Sequence, residues 1–320
     1  MRTRSDQLVA VATLGALVVV AGVLGLVSLY LGAVTQAMSG VQRGAALPDY
    51  PGRPEASAAD GVAQPVRYLV LVTDDSGTLA SAYLTQLSGA RDGLHLIGLP
   101  ADLLVDDANG HETSLAHVVG SDGAGAVRAI ETLLQLRIDH LVVIDLDGFT
   151  RIVDVIGGVT VRNDAEMSAD GWHFAAGEVR LTGPQALVYL SANKHPMVRL
   201  ERSEAVFVEV LRGIVSGDAL TNPAKVETIG DVLHHCVTVD ADLTPSEIRR
   251  MALDVHVVSE SIGAAPLPLA GASELDGTAV TVPDADRLAE LARALAADRA
   301  SAWTARQSDP WAPLAQLPPR

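Results

Sequence analysis

The sequence predicts an α/β domain, a central mixed β-sheet flanked by helices on both faces, preceded by one N-terminal transmembrane helix. From residue 66 onward, short β-rich apolar runs interleave with segments of helical spacing, the pattern of a layered α/β domain. One uninterrupted apolar run opens the chain. The 320 residues, less that run and the tails, leave roughly 230 to 250, within range for a single α/β domain.

No charged residue occurs from Gln7 to Gln42, and Leu8 to Leu31 is nearly all Leu, Val, Ala and Gly. About 20 apolar residues span a bilayer core, whereas a signal peptide has an apolar core of only about 7–15. Residues 8–31 are therefore expected to form an uncleaved anchor. Arg2 and Arg4 precede it, so residues 1–7 are expected in the cytoplasm and all that follows outside. Residues 32–65, with Pro48, Pro51, Pro54 and Pro65, read as an extracytoplasmic linker. Val66 to Thr73 is a strand ending on Asp74 and Asp75, and Leu79 to Leu87 and Leu94 to Leu99 are two more. Gly123 to Leu136 is a helix with Ser121 or Asp122 as its N-cap. His140 to Leu146 has the continuous apolar character of a strand buried on both faces. Helices are expected at Phe149 to Ile156, stopped by Gly157 and Gly158, and at Pro184 to Leu190, with Pro in the first turn. Further helices are expected at Val198 to Val215, Pro223 to His235 and Pro245 to Val255. Ala279 to Val282 is a last strand and Asp284 to Ala297 a last helix. The domain thus covers residues 66–297, and residues 298–320, rich in proline, read as a disordered tail.

The formal net charge of -16 argues against nucleic acid, whose phosphates need a basic face. It leaves phosphorylated ligands open, since a few local arginines serve those. Cys236 is the only cysteine, which excludes an intramolecular disulfide and a cysteine zinc cluster; it reads as a small buried hydrophobe. The histidines show no HxH or HExxH spacing and read as scattered solvated residues.

The stretch Ile138-Asp139-His140-Leu141-Val142-Val143-Ile144-Asp145-Leu146-Asp147-Gly148-Phe149, then Val153-Asp154-Val155-Ile156-Gly157-Gly158-Val159, resembles the LytR-CpsA-Psr family. Gly171-Trp172, the run Gly177 to Leu190, Arg199-Leu200-Glu201-Arg202, Asn222-Pro223 and Asp242-Leu243-Thr244 continue the resemblance, which covers roughly residues 66 to 295. It implies a mixed sheet with flanking helices and an apolar tunnel for a polyprenyl chain. It also implies transfer of a glycopolymer from an undecaprenyl-pyrophosphate carrier to peptidoglycan through a phosphodiester bond. Arginines and aspartates at the tunnel mouth would bind the pyrophosphate and a magnesium ion. The implied location is the bacterial cytoplasmic membrane, with the main domain outside.

The chemistry needs those residue types. Guanidinium forks are planar, permanently charged and bidentate toward phosphate, and magnesium bridges phosphate oxygens while held by one or two carboxylates. This chain departs from the implied pattern. Asp75 stands, but Gly77 occupies the arginine position two residues on. Ala80-Ser81-Ala82 replaces Arg-x-Asp, Pro100-Ala101-Asp102 replaces Pro-Arg-Asp, and Ser191-Ala192-Asn193 replaces Arg-x-Arg. Arg199 and Arg202 remain, and Lys194 supplies a charge without a fork. The candidate catalytic residues carried over are Asp102, Arg199 and Arg202. Asp75, Asp102, Lys194, Arg199 and Arg202 are the candidate ligand contacts, and Asp75 the metal ligand if magnesium is used. Each also has a plainer reading: Asp74 and Asp75 as turn formers, Asp102 as a structural partner, and Arg199 and Arg202 as surface ion pairs with Glu201 and Glu204. The sequence therefore leads to a catalytically degenerate member that binds a polyprenyl-linked glycan or other amphipathic ligand. An active phosphotransferase and a non-catalytic wall interaction module are the alternatives.

Overall fold

The computed structural model describes residues 41–56, 63–74, 76–120, 122–192, 196–215 and 223–306. The expected anchor at 8–31 lies outside the described residues; among these, no helix is long and apolar enough to cross a membrane. In chain order the elements begin with β1 (Gln42–Arg43), β2 (Val66–Thr73), β3 (Leu79–Leu87), β4 (Leu94–Leu99), β5 (Leu104–Asp106), β6 (Glu112–Ser114), α1 (Leu115–Val118) and α2 (Ala124–Leu134). β7 (His140–Asp145) and α3 (Leu146–Val155) lead into β8 (Val159–Asn163), β9 (Met167–Ala169), β10 (Trp172–Phe174) and β11 (Gly177–Leu181). Helices α4 (Gly183–Ser191), α5 (Pro196–Val215) and α6 (Pro223–Cys236) follow, then β12 (Val237–Val239) and α7 (Pro245–Asp254). The described chain closes with β13 (Ile262–Pro266), β14 (Leu269–Leu275), β15 (Thr278–Pro283), α8 (Ala285–Ala296) and α9 (Ala300–Thr304).

The central sheet has the order β1-β12-β7-β2-β3-β4-β13. It is mixed: β1/β12, β2/β7 and β4/β13 are parallel, while β12/β7, β2/β3 and β3/β4 are antiparallel. Side-chain alternation divides its apolar residues between two cores. Leu69, Leu71, Leu84, Ile97 and Leu99 face one core, shared with α2, α8 and α9. Val70, Val72, Tyr83, Leu96 and Ile144 face the other, shared with α3, α4, α5 and the β8–β11 ribbon. Helices thus cover both faces, as the sequence predicts.

Two ends of the sheet matter for function. β2 begins, β3 ends and β4 begins at one end, through the pairs Val66↔Leu87 and Leu87↔Leu94. β2 ends, β3 begins and β4 ends at the other. β1 enters from this second end: Gln42 pairs with Thr238, which lies opposite Val143.

Two segments differ from expectation. Residues 41–56, read as part of the linker, are built into the domain. Val41 is buried, and Arg53 Nε and Nη2 bond the Glu131 carboxylate at 3.0 Å each. Glu131, fully buried, also accepts from Tyr50 Oη at 2.8 Å and from the Ile138 amide at 2.9 Å. Prolines signal a lack of regular structure, not a lack of tertiary partners, and a buried carboxylate on α2 supplies the partner here. At the other terminus, residues 298–306, read as part of a disordered tail, are built into the domain. Ala300 and Trp303 of α9 are buried in the core, because indole burial outweighs the polar character of its neighbours.

Candidate functional site

At the end where β3 begins and β4 ends lies a cavity of about 410 Å³ whose wall includes Asp102 and Arg199. That volume is toward the lower end of ligand pockets, about 300–1,000 Å³. β4 delivers Pro100 to the rim. The Leu103 amide donates to the Pro100 carbonyl at 3.1 Å, and the Thr281 amide of β15 donates to the Asp102 carbonyl at 2.9 Å. Main-chain bonds therefore hold Asp102 in place and leave its carboxylate uncommitted. Arg199 comes from α5, which packs closely on β4. A Cβ at Gly98 would lie 3.2 Å from Leu200 Cδ1 and 3.2 Å from Glu204 Oε2, so glycine permits the approach. No ion pair joins Asp102 to Arg199, and neither side chain is otherwise engaged among the described residues.

Ala80, Ser81 and Ala101 line the same cavity, with Ser203 and Thr278 adding hydroxyls. Ala80 and Ala101 stand where the resemblance implies arginines. Ala82, where it implies a carboxylate, is fully buried and pairs with Leu99. Among the described residues, Arg199 is the only guanidinium in the wall and Asp102 the only carboxylate.

The other sequence candidates fall elsewhere. Arg199 and Arg202, three residues apart, share a broad face of α5, yet they have different neighbours. Arg202 stacks over the Tyr189 ring, 4.7 Å from its centroid, and donates to the Tyr189 carbonyl at 3.3 Å. It is not part of the cavity wall. Asp75 and Lys194 lie outside the described residues. Asp74 has the turn-forming role: Oδ1 accepts from the Ser76 hydroxyl at 2.6 Å and from the Ser76 and Thr78 amides at 2.9 Å each. Those bonds hold its carboxyl below the usual range.

The plainer reading of Arg199 and Arg202 put Glu204 at the surface as an ion-pair partner. It is 2% exposed, and neither of its carboxylate oxygens has a hydrogen-bond partner among the described residues. Burial first, and the charge of Glu201 second, push its carboxyl well above the ordinary range. Beside it, burial raises the Tyr83 hydroxyl, with hydrogen bonds to Ser203 and Ser81 opposing. Ser203 lines the cavity, while the Glu204 carboxyl, one residue on, is buried outside the described wall. Helical spacing alone did not reveal this, because the face of Glu204 is set by Gly98 on a strand distant in sequence.

Among the described residues no three His, Cys, Asp or Glu side chains are grouped to hold a metal ion. Magnesium commonly needs only one or two protein carboxylates, with phosphate oxygens and water completing its octahedron. Asp102, free and at the cavity wall, fits that minimal donor set; Asp75 is the second candidate carboxylate.

A sequence model of the LytR_cpsA_psr family matches residues 73–297. A relative from Bacillus anthracis, named polyisoprenyl-teichoic acid–peptidoglycan teichoic acid transferase TagU, is 30% identical over 180 residues, 53% of this chain and 57% of that one. TagU of Enterococcus faecalis is 28% identical over 166 residues, 50% of this chain and 53% of that one. The chain thus spans little more than half the length of these relatives. Among solved structures, Bacillus subtilis TagV superposes with a TM-score of 0.63 at 22% identity, covering 74% of this chain and 98% of that one. A LytR-Csp2A-Psr enzyme from Actinomyces oris gives 0.62 at 20% identity, covering 80% and 95%. These similarities establish the mixed-sheet fold.

Proposed function

Because the chain belongs to the LytR-CpsA-Psr family, we propose that it is a membrane-tethered cell-envelope protein that takes part in attaching glycopolymer to the cell wall. In this reading the Asp102–Arg199 cavity receives the phosphate end of a polyprenyl-linked glycopolymer, and phosphotransferase activity is lost or strongly reduced. One observation carries the reading: Asp102 and Arg199, both unengaged among the described residues, share a cavity wall with Ala80 and Ala101. The retained and the replaced positions of the implied phosphate grip therefore converge on one place.

A transferring pyrophosphate develops charge that positioned cations must neutralise. One arginine against one aspartate leaves the described wall close to neutral. Loss of a single stabilising donor typically costs about 10²–10³ in rate, and several losses combine without multiplying. Binding is less demanding, since one guanidinium fork still makes charge-assisted bonds to phosphate. Magnesium held by Asp102 and Asp75 would add charge neutralisation at the phosphate oxygens. Membrane tethering is supported by the apolar run Leu8–Leu31 and by the entry of β1 from the cavity-bearing end of the sheet. An anchor there holds the cavity toward the lipid surface, with peptidoglycan as the implied acceptor on the outer side.

The test uses full-length protein in detergent with geranylgeranyl pyrophosphate and magnesium. Binding is expected, weakened about tenfold or more by Arg199→Ala, since charge-assisted hydrogen bonds contribute about 1.5–3 kcal/mol. Phosphate release is expected at the protein-free background. Turnover abolished by Arg199→Ala would establish an active phosphotransferase instead. Absence of any lipid pyrophosphate binding would leave a wall interaction module.

A further inference from the structure

A second cavity, of about 530 Å³, lies on the C-terminal helices and is lined by Glu290, Arg293, Ala294, Arg299, Trp303 and Arg306. It sits at the opposite end of the sheet from Asp102. His95 Nε2, at the start of β4, meets Thr304 Oγ1 of α9 at 2.7 Å, whereas Asp102 follows the end of β4. Six residues of strand place the two cavities on the order of 20 Å apart.

Three guanidiniums face one carboxylate here, in a chain whose formal net charge is -16. Among the described residues, none of the three is in an ion pair. Arg293 Nε is bonded only to the Ala289 carbonyl of its own helix, at 3.1 Å, and the side chains of Arg299 and Arg306 have no partner among the described residues. Like charges held together repel, and among the described residues Glu290 is the one carboxylate in the wall to offset them. The backbone bearing them is nonetheless ordered: the Arg299 amide donates to the Ala294 carbonyl at 2.8 Å, the Arg306 amide to the Trp303 carbonyl at 3.1 Å, and Trp303 is 3% exposed. The indole Nε1 of Trp303, a residue of the same wall, has no acceptor.

We propose that this cavity is an anion site that binds the phosphate groups of a linear polyanion. Resting on the function proposed above, the polyanion is the polymer portion of the same ligand, whose lipid-phosphate end occupies the Asp102 cavity. Planar guanidiniums at spaced positions suit successive phosphodiesters, and the separation of the two cavities calls for an extended chain, not a single headgroup. The second site would hold the polymer along the domain.

The probe is fluorescently labelled short-chain inorganic polyphosphate, titrated into full-length protein in detergent at ~50 and ~200 mM salt, where phosphate contacts weaken steeply. The expected result is salt-sensitive binding that falls at least tenfold in the Arg299→Ala/Arg306→Ala double variant. Arg162→Ala, at an exposed arginine outside both cavity walls, is expected to change it less than twofold. Circular dichroism checks folding, and Arg299→Gln/Arg306→Gln, which retains side-chain volume, serves if the alanine variant does not fold. Wild-type affinity in either folded double variant would overturn the site. Equal or tighter binding of poly-L-glutamate would overturn the phosphate assignment in favour of a carboxylate partner. Geranylgeranyl pyrophosphate binding is measured on the same samples; its failure counts against the proposed function, whereas its retention with lost polyphosphate binding separates the two sites.

Discussion

Arg199 and Arg202 sit one helical turn apart, yet only the first reaches the cavity; the second is taken up by Tyr189. Two residues further along α5, Glu204 carries the clearest local imbalance. Its carboxyl is buried against Gly98 and Leu200 without a hydrogen bond. A buried unsatisfied polar group costs about 1–3 kcal/mol, so Glu204→Leu, which fits the apolar surroundings, is expected to stabilise the fold by a similar amount. Chemical denaturation of the two proteins measures this, and a destabilised leucine variant would show that the carboxyl has a role the contacts do not reveal.

At the scale of elements, the N-terminal segment 41–56 is tied to α2 by side-chain bonds from Tyr50 and Arg53 to Glu131. Arg53 and Glu131 form a tie whose side chains are 7% and 0% exposed. Removing one partner of a buried ion pair typically costs 3–5 kcal/mol, roughly, because the other charge is left uncompensated. Arg53→Ala is therefore expected to lower stability by about that much, although its site lies in sequence that reads as linker. Limited proteolysis should find residues 41–56 resistant in the native protein and cleaved early in the variant. Equal resistance in both would mean the segment is held by its backbone and by Tyr50 alone.

Across the whole molecule, two buried groups set opposing responses to pH. Burial pushes His95 down to about 4. Between about 4 and its unfolded value near 6.5 the unfolded chain binds the extra proton, so this group makes stability rise with pH. Glu204 has the reverse sign. Its folded value is raised above the unfolded value near 4.5, so the native state binds more protons and stability falls as pH rises toward that folded value. Just above about 4.5 the two slopes oppose one another. Glu204→Gln removes the falling one and should make Tm climb more steeply with pH there than in the wild type. Parallel profiles for the two proteins, recorded by circular dichroism from acid to mildly alkaline pH, would refute the opposition.

How much of this was legible in the sequence depended on how local the cause was. Strands β2, β3 and β4 match their apolar runs to the residue, and α8 begins at its cap, where Asp284 Oδ1 accepts from the Arg287 amide at 3.1 Å. The short ribbons β8–β11, the strands β12 to β14 and helix α9 were not foreseen, because each owes its form to partners elsewhere in the chain. Gln42–Arg43 becomes a strand only beside Thr238 and Val239. The candidate site divides in the same way. Residue identity in linear order established which phosphate-binding side chains are present and which are replaced. Which of them meet was decided by the sheet and by the packing of α5: Asp102 with Arg199 at one end, three arginines with Trp303 at the other, and Glu204 sealed between. Side-chain chemistry is a property of each residue, whereas convergence is a property of strand register and helix facing, and these are settled only when the cores on both faces of the sheet close.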